Sequence, residues 1–306
     1  MSFSQVFEVV IGLVLVYYVL GSIVSWVTKI ILQLQETRGK VLEEYLRKIA
    51  GDKTVDLTEL PQMKALQTIR YKTPLSVFSS TTVAKKIEKV PVATLVDAFF
   101  DLTGLTGRPD VDATQLKKII GALPESEGKQ ALLKWIDQGV TDINTLRTRV
   151  NSYFTGLLDQ AAASFKSHAR SYVISFSIIL TLMLGTDSIQ LAKDLWNNAE
   201  LRTLTTGQAQ IVAEKGGETL DSQAIINALD QFSIVRFGWW QLEGVLPASA
   251  GTLEWVGFIL LKLLGLCITA VAVSQGSSFW YDLLKKVTAP PIKPETSPDI
   301  ESEVAS

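Results

Sequence analysis

One cysteine and one histidine are all that this chain of 306 residues holds of the two residue types most used for tight metal binding. The lone cysteine, Cys267, cannot close an internal disulfide, so no disulfide framework supports the fold. A zinc site of the Cys/His kind cannot be assembled from Cys267 and His168. Charge of one sign is lacking too. The 29 basic and 31 acidic residues leave a net charge of −2, which gives no general pull toward nucleic acid. No G-x-S-x-G, phosphate loop or H-E-x-x-H stands in the sequence, and with one histidine no Ser/His/Asp set is evident. The inventory points to no catalytic residue, no metal and no cofactor.

Charged residues are themselves scarce, at 20% against roughly a quarter in soluble domains. Hydrophobic residues reach 47%, with a mean hydropathy of +0.24. The apolar excess lies in three runs. The first, Val9 to Val27, has no charge over 19 positions. As a helix it covers roughly 28 Å, near the hydrocarbon thickness of a bilayer. A basic n-region is missing and no small-residue cleavage pattern follows, so it reads as an uncleaved anchor rather than a signal peptide. The second run is Ser171 to Thr186, about 24 Å as a helix and apolar on every face. The third is Leu263 to Tyr281, ending on the aromatic residues Phe279, Trp280 and Tyr281. Just upstream, Leu253 to Leu261 is also apolar. It either extends the third span, with Lys262 snorkelling, or lies along the interface.

The expectation is an all-α integral membrane protein with three transmembrane helices. Residues 1–29 form an anchor helix with its span at about 9–27. Residues 30–170 form a helical cytoplasmic domain, 171–186 the second span, 187–262 a smaller external domain, 263–281 the third span and 282–306 a disordered cytoplasmic tail. Basic residues crowd the 30–170 segment and the tail near the spans: Lys29, Arg38, Lys40, Arg47 and Lys48, then Arg147, Arg149, Lys166 and Arg170, then Lys285, Lys286 and Lys293. The positive-inside rule then puts the N-terminus outside and the C-terminus in the cytoplasm.

Within 30–170 the first span is expected to run on as a helix through residue 50. Loops punctuated by Pro61, Pro74 and Pro91 follow, then helices over 91–102 and 126–138, and one more after Asp112, which caps it with Gln115 three residues on. The pair Asp110 and Asp112 suits this cap better than a metal. From Asp142 one long helix is expected to run into the second span, and to continue past it through Ile189, Leu195 and Trp196.

Small residues recur along the second and third spans: Ser177, Thr181 and Gly185, then Ala270, Ser274 and Ser278 with Ala272 and Gly276 beside them. Such faces let helices approach closely, within one protomer or between subunits. Asp187 and Lys262 are the charges nearest the membrane, each at the expected outer end of its helix, and a membrane-edge ion pair between them is one reading. Trp26, Trp239, Trp240 and Trp280 read as interfacial anchors. His168 joins the basic collar beside Lys166 and Arg170. Gln275 is the one strongly polar group well inside an expected span.

Four pieces carry a resemblance: LPQMKALQTIRYKTPLSVFSS (60–80), NSYFTGLLDQAAASFKSHARSY (151–172), GTDSIQLAKDLWNN (185–198) and AVSQGSSFWYDLLKKV (272–287). Together they resemble a group of uncharacterised bacterial three-span inner-membrane proteins. Asp187, Leu195, Trp196, Phe279, Trp280 and Asp282 match the group's pattern. Phe165 stands where the group has an aromatic pair, and Ser277-Ser278 where it has Ala-Pro. The resemblance implies three spans and a bacterial inner membrane, and brings no activity, substrate or cofactor. The expected role is a non-enzymatic scaffold or subunit of a membrane assembly. Its partners are then the lipid bilayer and other membrane subunits or further copies of itself, with no nucleic acid. A channel or transporter component is the alternative. An interfacial enzyme using Asp97, Asp101, Asp110 and Asp112 is a third reading.

Overall fold

The computed structural model describes residues 3–71, 82–108, 111–215 and 251–288. Among these it is helical apart from one short antiparallel strand pair, and three helices are long and apolar enough to cross a membrane. The chain divides into two compact units. One is Thr28–Tyr172; the other joins Met1–Val27 to Val173–Ser306. Two helices, α1 (Phe3–Leu34) and α8 (Ile143–Leu184), contribute residues to both.

The Thr28–Tyr172 unit is built from amphipathic helices round an aromatic core. Helix α2 (Thr37–Ala50) buries Val41, Leu42, Leu46 and Ile49 at helical spacing. The short α3 (Thr54–Glu59) and α4 (Pro61–Lys64) lead to β1 (Ile69–Tyr71), which pairs with β2 (Thr82–Ala84) where the sequence suggested loops alone. Helix α5 (Val92–Thr103) starts after Pro91 and ends at Gly104 in the left-handed region, φ 69°. Asp112 caps α6 (Ala113–Gly121) by accepting the Gln115 N–H at 2.7 Å, and Ser126 caps α7 (Glu127–Asp137) in the same way with Lys129. The first half of α8 presents Leu146, Val150, Phe154, Leu157 and Ala161, one face at spacings of three and four. Phe154 meets Phe99 edge to face at 5.3 Å, and both are almost fully buried.

The expected run of the first span into residue 50 is corrected. Helix α1 ends at Leu34, and Glu36 takes φ 51° before α2 begins. A left-handed residue cannot continue an α-helix. Glu36 is buried, and its carboxylate accepts the Lys86 N–H at 3.4 Å.

In the other unit α1 is the interior helix. It is buried all round from Val14 to Ser22, and its most apolar window is 67% buried. A helix apolar on every side can be interior without exposing polar groups. Around it stand the second half of α8, α9 (Ser188–Asn197), α10 (Ala199–Lys215), α11 (Thr252–Ser274) and α12 (Ser277–Thr288). The apolar windows of α8 and α11 are only 11% and 22% buried. Small residues of α8 (Ser177 and Thr181) turn inward, as does Gly185 just past its end, while Ile178, Ile179, Leu182 and Met183 turn outward.

Two helix ends differ from expectation, and of the two readings left open for 253–262 the structure has the one that extends the third apolar helix. The second apolar helix does not continue through Ile189: it stops at Leu184, Gly185 takes φ 62°, and α9 is a new helix. The third helix begins at Thr252, so 253–262 belong to it, and it ends at Ser274 instead of reaching Tyr281. Gly276 at φ 84° makes that turn. Residues 282–288, expected to be disordered tail, continue helix α12. The expectations for Pro74, Asp110, most of the 214–221 turn, Trp239, Trp240 and the rest of the tail lie outside the described residues.

Two outcomes test this account of the Thr28–Tyr172 unit. Phe154→Ala should cost about 3–5 kcal/mol, the range for emptying an aromatic core position, read from thermal unfolding of the full chain. Asp142, at the start of α8, accepts the Thr145 N–H at 2.7 Å, and hydrogen bonds from the Thr145 side chain and backbone hold its carboxyl below the ordinary value. The folded chain then binds this proton less readily than the unfolded chain. The cap therefore stabilises above the ordinary carboxylate range, and that contribution fades as pH falls through the lowered value. Asp142→Ala should lower the melting temperature at neutral pH and lose that effect in acid.

Candidate functional site at a helix break

Where α8 stops, the backbone crosses from one helix to another inside the apolar unit. Gly185 turns the chain, Thr186 follows, and Asp187 caps α9. Its Oδ1 accepts the N–H groups of Ile189 at 2.9 Å and Gln190 at 3.3 Å. A carboxylate at this place also meets the positive end of the α9 dipole. Its Oδ2 lies 3.4 Å from Lys262 Nζ of α11, and the same ammonium donates to Gln190 Oε1 at 3.2 Å. Both charged side chains are withdrawn from solvent, at 7% exposed for Asp187 and 14% for Lys262.

The approach of α9 to α11 depends on one missing side chain. A Cβ at Gly265 would collide with the Asp187 carboxylate. One turn further along, the Thr269 hydroxyl accepts the Ser188 N–H at 3.0 Å and lies 2.7 Å from Ser188 Oγ. Tyr17 of α1 donates its hydroxyl to Ser188 Oγ at 2.6 Å, and Thr269 donates to the Gly265 carbonyl at 2.9 Å. A chain of hydroxyls thus runs from Tyr17 through Ser188 and Thr269 to backbone, joining three helices. Among the described residues, the buried hydroxyls of Thr181 and Thr186 have no hydrogen-bond partner.

The expected pairing of Asp187 with Lys262 is found, and its level along the helices can be read from α1. Tyr17 adjoins Tyr18, the centre of the Val9–Val27 run. Lys262 is the eleventh residue of the 23 in α11. Helix α9 then carries the chain on along α1: Gly12 lies against Leu195, and Gln5 donates to the Trp196 carbonyl at 3.2 Å. So α8 and α9 together are one broken traverse, interrupted at the middle of α1's apolar length. A charge in sequence reads as the edge of a span because water is its ordinary partner; here Asp187 and Lys262 are partners for each other.

A second feature lies at the same depth. Arg202 of α10 pairs with Glu8 at 3.3 Å, and the Thr205 hydroxyl lies 3.0 Å from where a Gly12 Cβ would stand. Helix α10 therefore runs alongside α1 in the same direction and packs against α12, whose first residue touches Gly21. At 1.5 Å per residue, Gln210 falls roughly level with Tyr17 and Glu214 roughly level with Gly21. Thr203, Leu204, Gly207, Gln210, Ile211 and Glu214 form its exposed face.

The remaining sequence candidates are placed as follows. Ser177, Thr181 and Gly185 are buried within the unit, as is Ala272. Ala270, Ser274 and Gly276 are half-buried, and Ser278 is exposed. The face of α11 that packs is Gly265, Leu266, Thr269, Ala272 and Val273, one helical step from the stripe anticipated. Trp26 is exposed. Trp280 is half-buried: its indole N–H donates to the Ala272 carbonyl at 2.6 Å, and its ring lies 4.8 Å from that of Tyr17. The bend at Gly276 aims it there. His168 is exposed, with Nδ1 2.9 Å from the Ser164 carbonyl. Gln275 is also exposed. Of the carboxylates weighed for catalysis, Asp97 pairs with Arg147, Asp101 accepts from Gln62 and Thr106, and Asp112 is a cap. Tyr17, Ser188, Gln190, Gly265 and Thr269 were not anticipated. The signals available for them were the Gly265/Thr269 spacing and the Thr-Asp-Ser run opening a helix.

No protein-family model matches the chain, no curated protein matches its sequence and no solved structure matches its fold. What the three apolar helices define is the class, a chain fit to cross a membrane.

Lys262→Met leaves a carboxylate buried without its partner and should cost about 3–5 kcal/mol. The double variant Asp187→Asn/Lys262→Met keeps an α9 cap without the charge, and should recover most of that loss. Melting of both variants in detergent micelles, compared with the parent, measures it.

Proposed function

We propose that the chain is a non-enzymatic subunit or scaffold of a larger membrane assembly. The exposed face of α10 carries this reading. Gln210 and Glu214 stand level with the apolar middle of α1 and are exposed. A carboxylate facing lipid at that depth costs about 2.5 kcal/mol or more, so the face calls for a protein neighbour or water. A neighbouring subunit meets that need with hydrogen bonds across the helices. In this reading the chain sits in a bacterial inner membrane with its N-terminus outside and its C-terminus in the cytoplasm. The basic residues flanking the spans and the resemblance to bacterial three-span proteins support that placement. The Thr28–Tyr172 unit is then the cytoplasmic part, available to soluble members of the assembly.

A specific observation favours a second reading, a channel or transporter component. Broken helices with charged groups at mid-depth are where transporters bind substrate and ions. The α8–α9 break, its Asp187–Lys262 pair and the unpartnered hydroxyls of Thr181 and Thr186 are of that kind.

Native mass measurement after gentle extraction from the cell's own membranes separates the readings. The subunit reading expects a defined partner or a fixed number of copies, lost in the Gln210→Leu/Glu214→Leu variant. A monomer without partners overturns it. Ion flux in proteoliposomes that disappears in Asp187→Asn would establish the second reading.

A further inference from the structure

Two cavities open side by side on the surface of the apolar unit, between α1, α9 and α11. One, of about 530 Å³, is bounded by Val9, Leu13 and Tyr17 of α1, by Ile268 of α11, and by Lys193 and Asn197 of α9 among others. The next, of about 510 Å³, shares Tyr17 and Ile268 and continues past Val271 to Phe279 and Trp280. Sharing two walls, they form one groove. Its polarity is graded. Lys193 and Asn197 stand at one end, and both are exposed. No ion pair of Lys193 is found among the described residues. Beyond them the walls are apolar, save Ser188 and the tyrosine hydroxyl already bonded to it, until Gln275 at the far end.

The gradient matches the depth of α1. The cationic end lies beside Val9, where the apolar run begins, and a lysine there keeps its ammonium at the headgroup boundary while its stem lies on apolar wall. From Val9 to Gly21, the level at which α11 gives way to α12, is roughly 18 Å of helix. One leaflet of a bilayer offers about half of 30 Å of hydrocarbon. We propose that this groove is a binding site for one anionic phospholipid, its acyl chain laid along Tyr17, Ile268 and Val271 and its phosphate beside Lys193 and Asn197. The proposal rests on insertion of the chain in a bilayer and not on the subunit reading.

The chemistry asks for a negative headgroup. A single lysine beside anionic lipid contributes about 1 kcal/mol, so a phosphatidylglycerol should be held about fivefold more tightly than a phosphatidylcholine of the same chains. The test is native mass spectrometry of the full chain, extracted in mild detergent and titrated with each of the two lipids in turn. The expected result is one retained phosphatidylglycerol per chain and about a fivefold preference, lost in Lys193→Glu. That substitution is on an exposed side chain and leaves the core alone. Ile268→Trp fills the groove and should abolish retention of both lipids, with helical content checked by circular dichroism. Equal retention of the two lipids, a preference untouched by Lys193→Glu, or a groove covered by a second copy (a dimer that Ile268→Trp dissociates while no lipid is held) overturns the proposal.

Discussion

A carboxylate facing an ammonium group, held between helices in the middle of an apolar unit, is the contact on which that unit's architecture depends. Asp187 does three things at once. It ends the irregular stretch after Gly185, caps α9, and ties α9 to α11 through Lys262. Remove the carboxylate and the first N–H groups of α9 lose their acceptor where no water replaces it. Remove Gly265 and α11 cannot approach closely enough for Lys262 to reach it. The hydroxyl chain from Tyr17 through Ser188 to Thr269 repeats the tie one turn away and brings in α1. Polar groups in apolar surroundings hold helices together because leaving any one unsatisfied is costly.

The same constraint explains why α1 is the interior helix. It has no charge between Val9 and Val27, and its polar ties to other helices there include the Tyr17 hydroxyl on Ser188 and the Ser25 hydroxyl, 3.3 Å from that of Ser277. Its glycines admit close neighbours: Gly12 meets Leu195 and Thr205, and Gly21 meets the backbone at Gly276–Ser277. Helices α8 and α11 turn Ser177, Thr181, Gly265 and Thr269 toward the unit, and Ile178, Leu182, Leu260 and Val271 away from it. That division leaves an outer surface suited to lipid on those two helices, with α10 as the exception. Its exposed face mixes Leu204 and Ile211 with Gln210 and Glu214. The proposals of a neighbouring subunit and of a bound phospholipid address different sides of the same unit.

Much of the Thr28–Tyr172 unit was legible residue by residue. The cap at Asp112 follows from a side chain that prefers to accept backbone N–H groups, and the helices after Pro91 and Asp142 follow from apolar spacing, whereas the Ser126 cap was read only as part of a helix over 126–138. The β1–β2 pair was not, since strands of three residues leave no periodicity to read. The left-handed Glu36 was invisible as well. Glutamate carries no turn preference, and a backbone N–H distant in sequence, that of Lys86, is among the groups it meets. The end of α8 at Gly185 was visible as a glycine but read as part of a packing stripe. It serves both purposes, being buried and at positive φ.

The sequence by itself determined that three segments are apolar over a length that suits a bilayer, and that the stretch between the first two is chiefly helical. Both follow from local composition and spacing, which need no partner to be read. Only the tertiary structure decided how deep the two charges lie. Asp187 and Lys262 are 75 positions apart, and each alone marks an end of an apolar run. Brought within 3.4 Å, they satisfy each other beside the middle of α1's apolar run. Depth in an apolar unit is a property of pairs. A single strand of text can locate a charge, and its cost is set by what the fold places beside it.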